Sequence, residues 1–475
     1  MLPEWIVIGF SGHRKLADPK IVADAIHNIF ERLAASRSPL ATVSSAASGA
    51  DTLFVEEAAQ RSLPRLIILP FALNRFQQDF NPADWQRILP LIESAAHIEE
   101  VSGEESNEGA YMEAGIQTAD RADVMIVVWN GQPAAGFGGT GDVVNYARKF
   151  AKPLFIIDPA TGKISEERLE QLPAKIPTAG WKNNPREIVE KHFQELDEES
   201  ERHAPKSRHL VSRIVLFQLA ASAVGLTALT FENRESRSII NPLSSVVELF
   251  FLGIAFYSAL QHRRRHHEWM KSRVVAEICR SFLAMWDMRR QQDHFPKLSI
   301  PKFNRLCRNL RLLRILDPTQ APSLEQTRAR YLNERVEKQI EYFDRKGGQA
   351  QSAYEKLKFW TFASTAVATL CSLLTVIFSL VKVAGPIEIE IASKYLSLLL
   401  PLASTAFFLL IVTQDYSRRA ARYAEMTAML KEAKMRLEEV KTWNGLARIA
   451  AETEEKLIQE IVEWHSFRQF AGEPN

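Results

Sequence analysis

The sequence contains very little cysteine, with three residues in 475 and none among the first 200. Cys279, Cys307 and Cys371 are far apart in the chain and form no Cys-x-x-Cys pair. A disulfide scaffold needs several paired cysteines, and a structural zinc site needs closely spaced ligands. The sequence therefore predicts a protein of a reducing compartment, without a disulfide framework or a metal site.

The chain also lacks a large net charge, because 59 basic and 57 acidic side chains leave only +2. A protein that coats nucleic acid carries a strong basic excess, so we expect no direct nucleic-acid binding. The balance is uneven along the chain. Residues 1–200 carry 19 basic and 29 acidic side chains, for a net charge of −10, whereas the remainder carries +12.

A secretory leader is not apparent in the first residues. Met1 to Trp5 contain no basic residue and include the acidic Glu4. A signal peptide begins with a basic segment, so we expect none here. The short apolar run that follows predicts a first β-strand.

Long apolar runs occur only in the second half of the chain: residues 214–231, 238–261, 359–381 and 395–414. A bilayer core needs about 20 apolar residues in a helix, and each run is long enough. The alternative is a buried soluble helix, but such helices rarely lack a polar face over this length. The sequence predicts four transmembrane helices in two hairpins, at about 210–231, 241–261, 359–381 and 395–414.

Basic residues flank these runs on one side. They are Lys206, Arg208 and Arg213 before the first run, Arg263, Arg264 and Arg265 after the second, Lys356 and Lys358 before the third, and Arg418, Arg419 and Arg422 after the fourth. Positive residues stay in the cytoplasm, so both termini and residues 262–358 are predicted to lie there. Only two short turns would face outward.

Glu248 is the one charged residue within the four apolar runs. Charges at that depth are costly and usually face a cavity, a pore or a partner. Because Glu248 is only a few residues from an outer turn, it could equally be an interfacial anchor. Pore lining and anchoring are both left open by the sequence.

The segments between and after the hairpins have helical periodicity. Residues 262–358 and 416–467 are predicted to contain cytoplasmic helices, and an apolar stripe runs from Tyr416 to Phe467. The stripe is typical either of a long solvated helix or of a helix that packs against copies of itself. The second interpretation predicts a homo-oligomer.

The first 200 residues alternate between strand-like and helix-like segments. Predicted strands are Trp5–Phe10, Ala41–Ser44, Leu66–Pro70, Asp123–Trp129 and Pro153–Ile157. This alternation predicts an α/β domain with a parallel sheet, and ligands of such sheets bind at the carboxyl ends of the strands.

Three loops at predicted strand ends carry small and polar residues that suit a phosphate-containing ligand. The candidate binding residues are Ser11, Gly12, His13 and Arg14 in the first loop, Ser48, Gly49 and Asp51 in the second, and Gly138, Gly139, Thr140 and Asp142 in the third. Glycines allow close approach to the backbone, and helix N-termini favour anions. Plain αβ turns remain the alternative, with Asp51 and Asp142 as helix N-caps instead of acceptors for ribose hydroxyls.

These residues resemble SLOG domains, a Rossmann-like superfamily that includes the LOG phosphoribohydrolases. The resemblance covers about the first 160 residues. It is carried by Ser11-Gly12-His13-Arg14, by the helix start Ser48-Gly49-Ala50-Asp51, and by the segment Trp129 to Thr140. It implies a nucleotide-binding domain.

The second half resembles SLATT modules, two-span effector domains associated with SLOG domains and with nucleotide-producing enzymes in bacterial conflict systems. The carriers are Trp269, Arg273 and Ala276-Glu277, followed by the segment Arg335 to Phe343. The arrangement of the predicted spans along the chain supports this resemblance as much as the residue identities do.

The third loop departs from the LOG enzymes at one position. Their pattern PGGxGTxxE ends on a catalytic glutamate, and Asn145 stands at that place. An asparagine cannot act as a general base, so we expect a binding site with no catalytic residue and no cofactor. Glu113 or Asp51 remain as carboxylates that could act from elsewhere.

The predicted organisation is a Rossmann-like α/β domain at 1–160, a linker region at 161–206, and an all-α membrane domain at 207–475. The resemblance implies a multi-pass protein of the bacterial inner membrane that acts in antiphage defence. Its activator would be a nucleotide such as a cyclic ADP-ribose derivative or a cyclic oligonucleotide, made by a cyclase or a TIR protein. The alternative is a membrane-anchored nucleotide N-glycosidase, and a constitutive transporter is disfavoured.

Overall fold

The computed structural model describes residues 2–35, 38–101, 106–134, 136–172, 184–230, 237–288, 301–319, 322–381 and 387–470. It divides into two compact units, one of Met1–Val189 with Ile300–Thr319 and one of Glu190–Ser299 with Gln320–Asn475. The segment between the second and third apolar runs thus contributes a helix to the first unit. Residues 173–183 of the predicted linker region 161–206 lie outside the described residues.

The first unit is built on a seven-stranded sheet with the strand order β4-β3-β2-β1-β5-β6-β7. Every neighbouring pair is parallel except β6 and β7. The strands are β1 (Ile6–Gly12), β2 (Leu40–Ser44), β3 (Arg65–Leu69), β4 (His97–Glu100), β5 (Val124–Val128), β6 (Leu154–Ile157) and β7 (Ile164–Glu167). The predicted α/β class with a mostly parallel sheet is confirmed.

Helices connect the strands and cover the sheet. They are α1 (Pro19–Ala34), α2 (Ala50–Gln60), α3 (Leu73–Phe76), α4 (Pro82–Glu93), α5 (Asn107–Arg121), α6 (Thr140–Lys149) and, from later in the chain, α9 (Pro301–Ile315), with 3₁₀ turns at Gln77–Asp79 and Leu169–Gln171. The side chains of Asp18, Asn81 and Ser106 cap α1, α4 and α5 by accepting backbone N–H groups.

The inner strands have the largely apolar sequences that a sheet covered on both faces requires. All five residues of β5, and all five of β3, are buried. Strands β4 and β7 were not predicted, because their sequences HIEE and ISEE contain no apolar run to indicate a strand.

The second unit is helical. Its elements are α7 (Pro185–Thr230), α8 (Arg237–Ala284), α10 (Leu324–Arg330), a π-helical segment (Tyr331–Glu337), α11 (Lys338–Val381), α12 (Ile387–Gln414), α13 (Tyr416–Glu438) and α14 (Trp443–Phe470). Four of its helices are long and apolar enough to cross a membrane, as predicted. Helix α7 is continuous through residues 195–206, which the sequence analysis assigned to the linker.

The second apolar hairpin is joined by hydroxyl contacts between its helices. Thr365 of α11 and Ser404 of α12 lie 2.8 Å apart at their hydroxyl oxygens, and Thr375 and Ser393 lie 3.1 Å apart. Such contacts hold apolar helices together where the hydrophobic effect between them is weak.

The predicted continuous stripe from Tyr416 to Phe467 is interrupted in the structure. Helix α13 ends at Glu438 and α14 begins at Trp443, so the chain forms two helices. Leu430 and Leu437 of the stripe are fully buried in a core of the same chain that includes Val336. An amphipathic stripe does not specify which surface covers it, and here the same chain does.

Candidate functional site

The strand order places the topological switch point of the sheet between β1 and β5. The chain proceeds from β1 to β2 on one side, whereas β5 continues to β6 on the other. Loops that follow such neighbouring strands diverge and leave a crevice at their carboxyl ends. The first and third predicted loops follow these two strands.

The first and second loops are locked together by backbone contacts. The Ala50 N–H donates to the His13 carbonyl at 3.1 Å. Gly49 has φ of 90°, and a Cβ there would lie 2.3 Å from the Arg14 carbonyl oxygen, so only glycine fits. The Ala50 N–H at the start of α2 is therefore used within the protein.

Asp51 lies beneath these loops with only 4% of its surface exposed. Its carboxylate accepts the Gly12 N–H at 3.2 Å. Burial raises the pKa of Asp51 to about 7, although the hydrogen bond from Gly12 and the charge of Arg14 act to lower it. The N-cap of α2 is Gly49, so the alternative interpretation of Asp51 as an N-cap is wrong.

The first and third loops meet through His13. Its backbone N–H donates to the Val128 carbonyl at 3.2 Å, and its ring Nε2 accepts the Asn130 backbone N–H at 3.2 Å. Because Nε2 is the acceptor, the ring proton is on Nδ1 in the neutral form, where it can donate to a ligand.

The third loop folds compactly onto α5. Gly138 has φ of 83°, and a Cβ there would lie 2.5 Å from the Glu108 carbonyl oxygen. Its N–H donates to the Asp142 carboxylate at 3.0 Å. The N-cap of α6 is Gly139, so the N-cap interpretation of Asp142 is also wrong.

Arg14 is the exposed cation of the site, and its position is fixed by a residue that the sequence analysis did not identify. The guanidinium stacks on the Tyr111 ring at 4.4 Å from its centroid. The Tyr111 hydroxyl donates to Asp79, which Arg75 also contacts at 2.9 Å. Partial burial acts to raise the pKa of Asp79, but these hydrogen bonds hold it below its ordinary value. No local motif connects positions so far apart in sequence.

Three candidate hydroxyls are available to a ligand. Ser11, Ser48 and Thr140 are half-buried, and within the described part of the chain none of their hydroxyls has a hydrogen-bond partner. Together with Arg14 and the Nδ1 proton of His13, they provide donors at the crevice. Donors of this kind suit an anionic, hydroxyl-rich ligand.

The residues at the positions that the LOG pattern and its alternative indicate are Asn145 and Glu113, and Asp51 lies beneath the loops as described above. Asn145 is exposed on α6, and Glu113 accepts a hydrogen bond from Gln117 one turn along α5 at 2.8 Å. Among the described residues, no three His, Cys, Asp or Glu side chains are grouped as a metal site would require.

In the second unit, Glu248 of α8 faces α7. A Cβ added at Gly225 would lie 3.5 Å from the Glu248 carboxylate oxygen, so the small glycine leaves room for the acid between the two helices. Glu248 is half-buried, whereas Leu249 and Phe250 beside it are more than 60% exposed. The carboxylate is thus directed towards the neighbouring helix.

A Rossmann-like α/β unit, joined to a helical unit with four span-length apolar helices, defines the class as a membrane protein with a Rossmann-like domain. Residues 331–464 match the family model of the SMODS and SLOG-associating 2TM effector domain 1. This match supports the predicted SLATT-like region. No SLOG family match covers the N-terminal domain, so that resemblance stays a prediction. No curated protein matches the chain.

Proposed function

We propose that this protein is a ligand-gated membrane effector of a bacterial conflict system. The observation that carries the proposal is the junction, within one chain, of a switch-point loop cluster and a match to a two-span effector domain. Ligand binding at the loops favours one state of the membrane helices only if the two states differ in affinity.

The proposed ligand is a nucleotide-derived anion, such as a cyclic ADP-ribose derivative or a cyclic oligonucleotide. Arg14 provides a positive charge, and the hydroxyls of Ser48 and Thr140 supply further donors. His13 contributes its Nδ1 proton. A nucleotide presents phosphate oxygens and ribose hydroxyls to such a set.

The proposed setting is the bacterial inner membrane, with both termini in the cytoplasm and the spans responding as a homo-oligomer. The basic flanks of the apolar runs support this orientation. A cyclase or a TIR protein would supply the activator, and the response would be permeabilisation of the membrane of an infected cell.

The test uses the full-length protein in lipid vesicles filled with a self-quenched dye. Cyclic ADP-ribose derivatives and cyclic oligonucleotides are added, and binding and dye release are measured. We expect Arg14→Ala with Thr140→Val to abolish both, because the charge and one hydroxyl donor are lost. Arg32→Ala is the matched control, since Arg32 is an exposed arginine that pairs with Glu166 on the same unit.

Dye release that is unaffected by the double substitution would refute nucleotide sensing at these loops. The same incubation with nucleoside monophosphates and NAD is examined for free base. Its release without leakage would favour the N-glycosidase instead. Gly139, although a candidate binding residue, is not substituted in this test. A Cβ added at Gly139 would lie 2.9 Å from the Ala134 Cβ, so any substitution would distort the loop itself.

A further inference from the structure

The second unit contains a buried group of charged side chains that the proposed ligand site does not use. We call it the Arg335 cluster. Its members come from four segments of the chain: Asp197 of α7, Arg273, Glu277 and Arg280 of α8, Arg335 of the π-helical segment, and Glu454 of α14. Three positive and three negative charges balance, so the cluster is neutral as a whole.

Arg335 is the centre of the cluster. Its Nε and Nη2 donate to the two carboxylate oxygens of Glu454 at 2.8 and 2.6 Å, and Nη2 also donates to Glu277 at 2.9 Å. The three side chains are no more than 5% exposed. A buried ion pair rarely adds net stability over apolar packing, but removal of one partner is strongly destabilising because it leaves the other charge buried and uncompensated. Such a pair specifies one arrangement of its helices.

Glu277 connects Arg335 to the rest of the cluster. It accepts from Arg280 at 2.8 Å, and Arg280 donates onward to Asp197 at 2.8 Å. Burial acts to raise the pKa of Glu277, but the charges of Arg280, Arg335 and Arg273 lower it to about 2. The carboxylate therefore stays ionised at neutral pH and keeps its partners.

The backbone around Arg335 has an unusual conformation. Residues Tyr331–Glu337 form a π-helix of seven residues, a conformation that is rare and often found at functional positions. Besides Arg335, this segment presents Tyr331, whose hydroxyl donates to Glu454 at 3.0 Å. The segment leads directly into α11, which contains the third apolar run.

We propose that the Arg335 cluster is a conformational lock. It holds residues Tyr331–Glu337 in the π-helical hydrogen-bond pattern and thereby fixes the rotation of α11 about its axis. If the lock opens, the segment can regain α-helical hydrogen bonds, and each residue of register turns the following helix by about 100°. The match to the two-span domain begins at Tyr331, whereas Glu277 precedes it. The lock thus joins the first apolar hairpin to the effector module.

Hydrogen exchange of the full-length protein in lipid nanodiscs tests the lock. Glu277→Gln and Glu454→Gln remove one charge each while keeping the side-chain shape. We expect exchange within residues 331–345 to rise by at least about tenfold in each variant. Glu452→Gln is the matched control on α14, because Glu452 is 42% exposed and pairs with Arg436 on the surface.

Unchanged exchange in both variants, or an equal rise in the control, would overturn the lock. If either variant fails to fold, Ser281→Ala replaces it, since Ser281 only donates to Glu454 at 2.6 Å and accepts from Arg335. We then expect a smaller rise confined to the same residues, and a rise spread over the whole chain would contradict the proposal.

The consequence for leakage rests on the proposed function, and the two are separated by a second measurement. Dye release from vesicles without nucleotide should increase several-fold in Glu277→Gln. If hydrogen exchange is faster in Glu277→Gln but no dye is released, the lock is retained and its link to permeabilisation of the membrane is refuted. Nucleotide-dependent leakage of the unsubstituted protein, with unchanged exchange in the variants, would refute the lock alone.

Discussion

The ring Nε2 of His13 accepts the backbone N–H of Asn130 at 3.2 Å, which joins the loops that follow β1 and β5. These are the two neighbouring strands at the switch point of the sheet. A side chain therefore spans the switch point and joins two of the candidate loops.

His13→Ala removes this bridge and is expected to loosen the third loop. One lost hydrogen bond of about 1 kcal/mol corresponds to roughly fivefold faster amide exchange at residues 129–134. Mass-spectrometric hydrogen exchange measures it. The control is His27→Ala. His27 is an exposed histidine of α1 that pairs with Glu57 of α2, so its removal should leave the exchange rates of residues 129–134 unchanged. Equal exchange in both variants would contradict the bridging role.

Asp51 gives the folded chain an unusual pH dependence. Its folded pKa of about 7 exceeds the ordinary value of 3.8, so the folded state binds the proton more tightly than the unfolded state. The stabilisation is complete below about pH 4 and is lost as the pH rises through 7. Relative to Asp51→Asn, the unsubstituted protein should lose about 4 kcal/mol between pH 4 and pH 8, as an upper bound.

Thermal unfolding of the full-length protein in detergent between pH 4 and pH 8 measures this difference. Asp158→Asn is the contrasting variant, because N–H groups of Thr161 and Ala160 hold the pKa of Asp158 below its ordinary value. The contribution of Asp158 is present at high pH and lost as the pH falls. The same sign of pH dependence for the two substitutions would refute the assignment of Asp51.

Arg308 attaches α9 to the first unit at the edge of the sheet opposite the loop cluster. Its Nη2 lies 2.7 and 2.8 Å from the two carboxylate oxygens of Asp123, directly before β5. Arg305 of the same helix pairs with Glu4 at 3.1 Å. The segment between the two apolar hairpins is therefore held to the sheet of the first unit by ion pairs.

Arg308→Ala should destabilise the first unit by about 2 kcal/mol, because the largely buried Asp123 loses its guanidinium partner and keeps the hydrogen bond from the Val7 N–H. Chemical unfolding monitored by tryptophan fluorescence measures the loss. The control Arg202→Ala removes an exposed pair with Glu198 and should cost less than about 0.5 kcal/mol. Similar losses for the two variants would show that α9 is not held by this contact.

Gly225 makes room for the Glu248 carboxylate between α7 and α8. Gly225→Leu should separate the two helices and lower the unfolding temperature of the protein in lipid, because close approach needs a small residue. Gly253→Leu on α8 is the matched control, since a Cβ at Gly253 has no atom within 4 Å. No difference between the two leucine variants would refute the close contact.

The local features of the fold were predictable because each depends on neighbouring residues alone. The five apolar residues of β5 and the uninterrupted run at 359–381 identify a buried strand and a span-length helix by composition and length. The three candidate loops were found by the same reasoning. Their mutual contacts were not, since the pairing of His13 with Asn130 crosses 117 positions of the chain.

The amino-acid sequence by itself determined the α/β class, the four apolar helices and the position of the candidate loops, because periodicity and hydrophobic length act locally. The tertiary structure decided which groups meet. The Arg14 guanidinium stacks on the Tyr111 ring, and Arg308 of α9 contacts Asp123. Glu277 and Glu454, which are 177 residues apart in the sequence, both accept hydrogen bonds from the Arg335 guanidinium. Such contacts depend on how whole elements pack, and no spacing in the sequence encodes them.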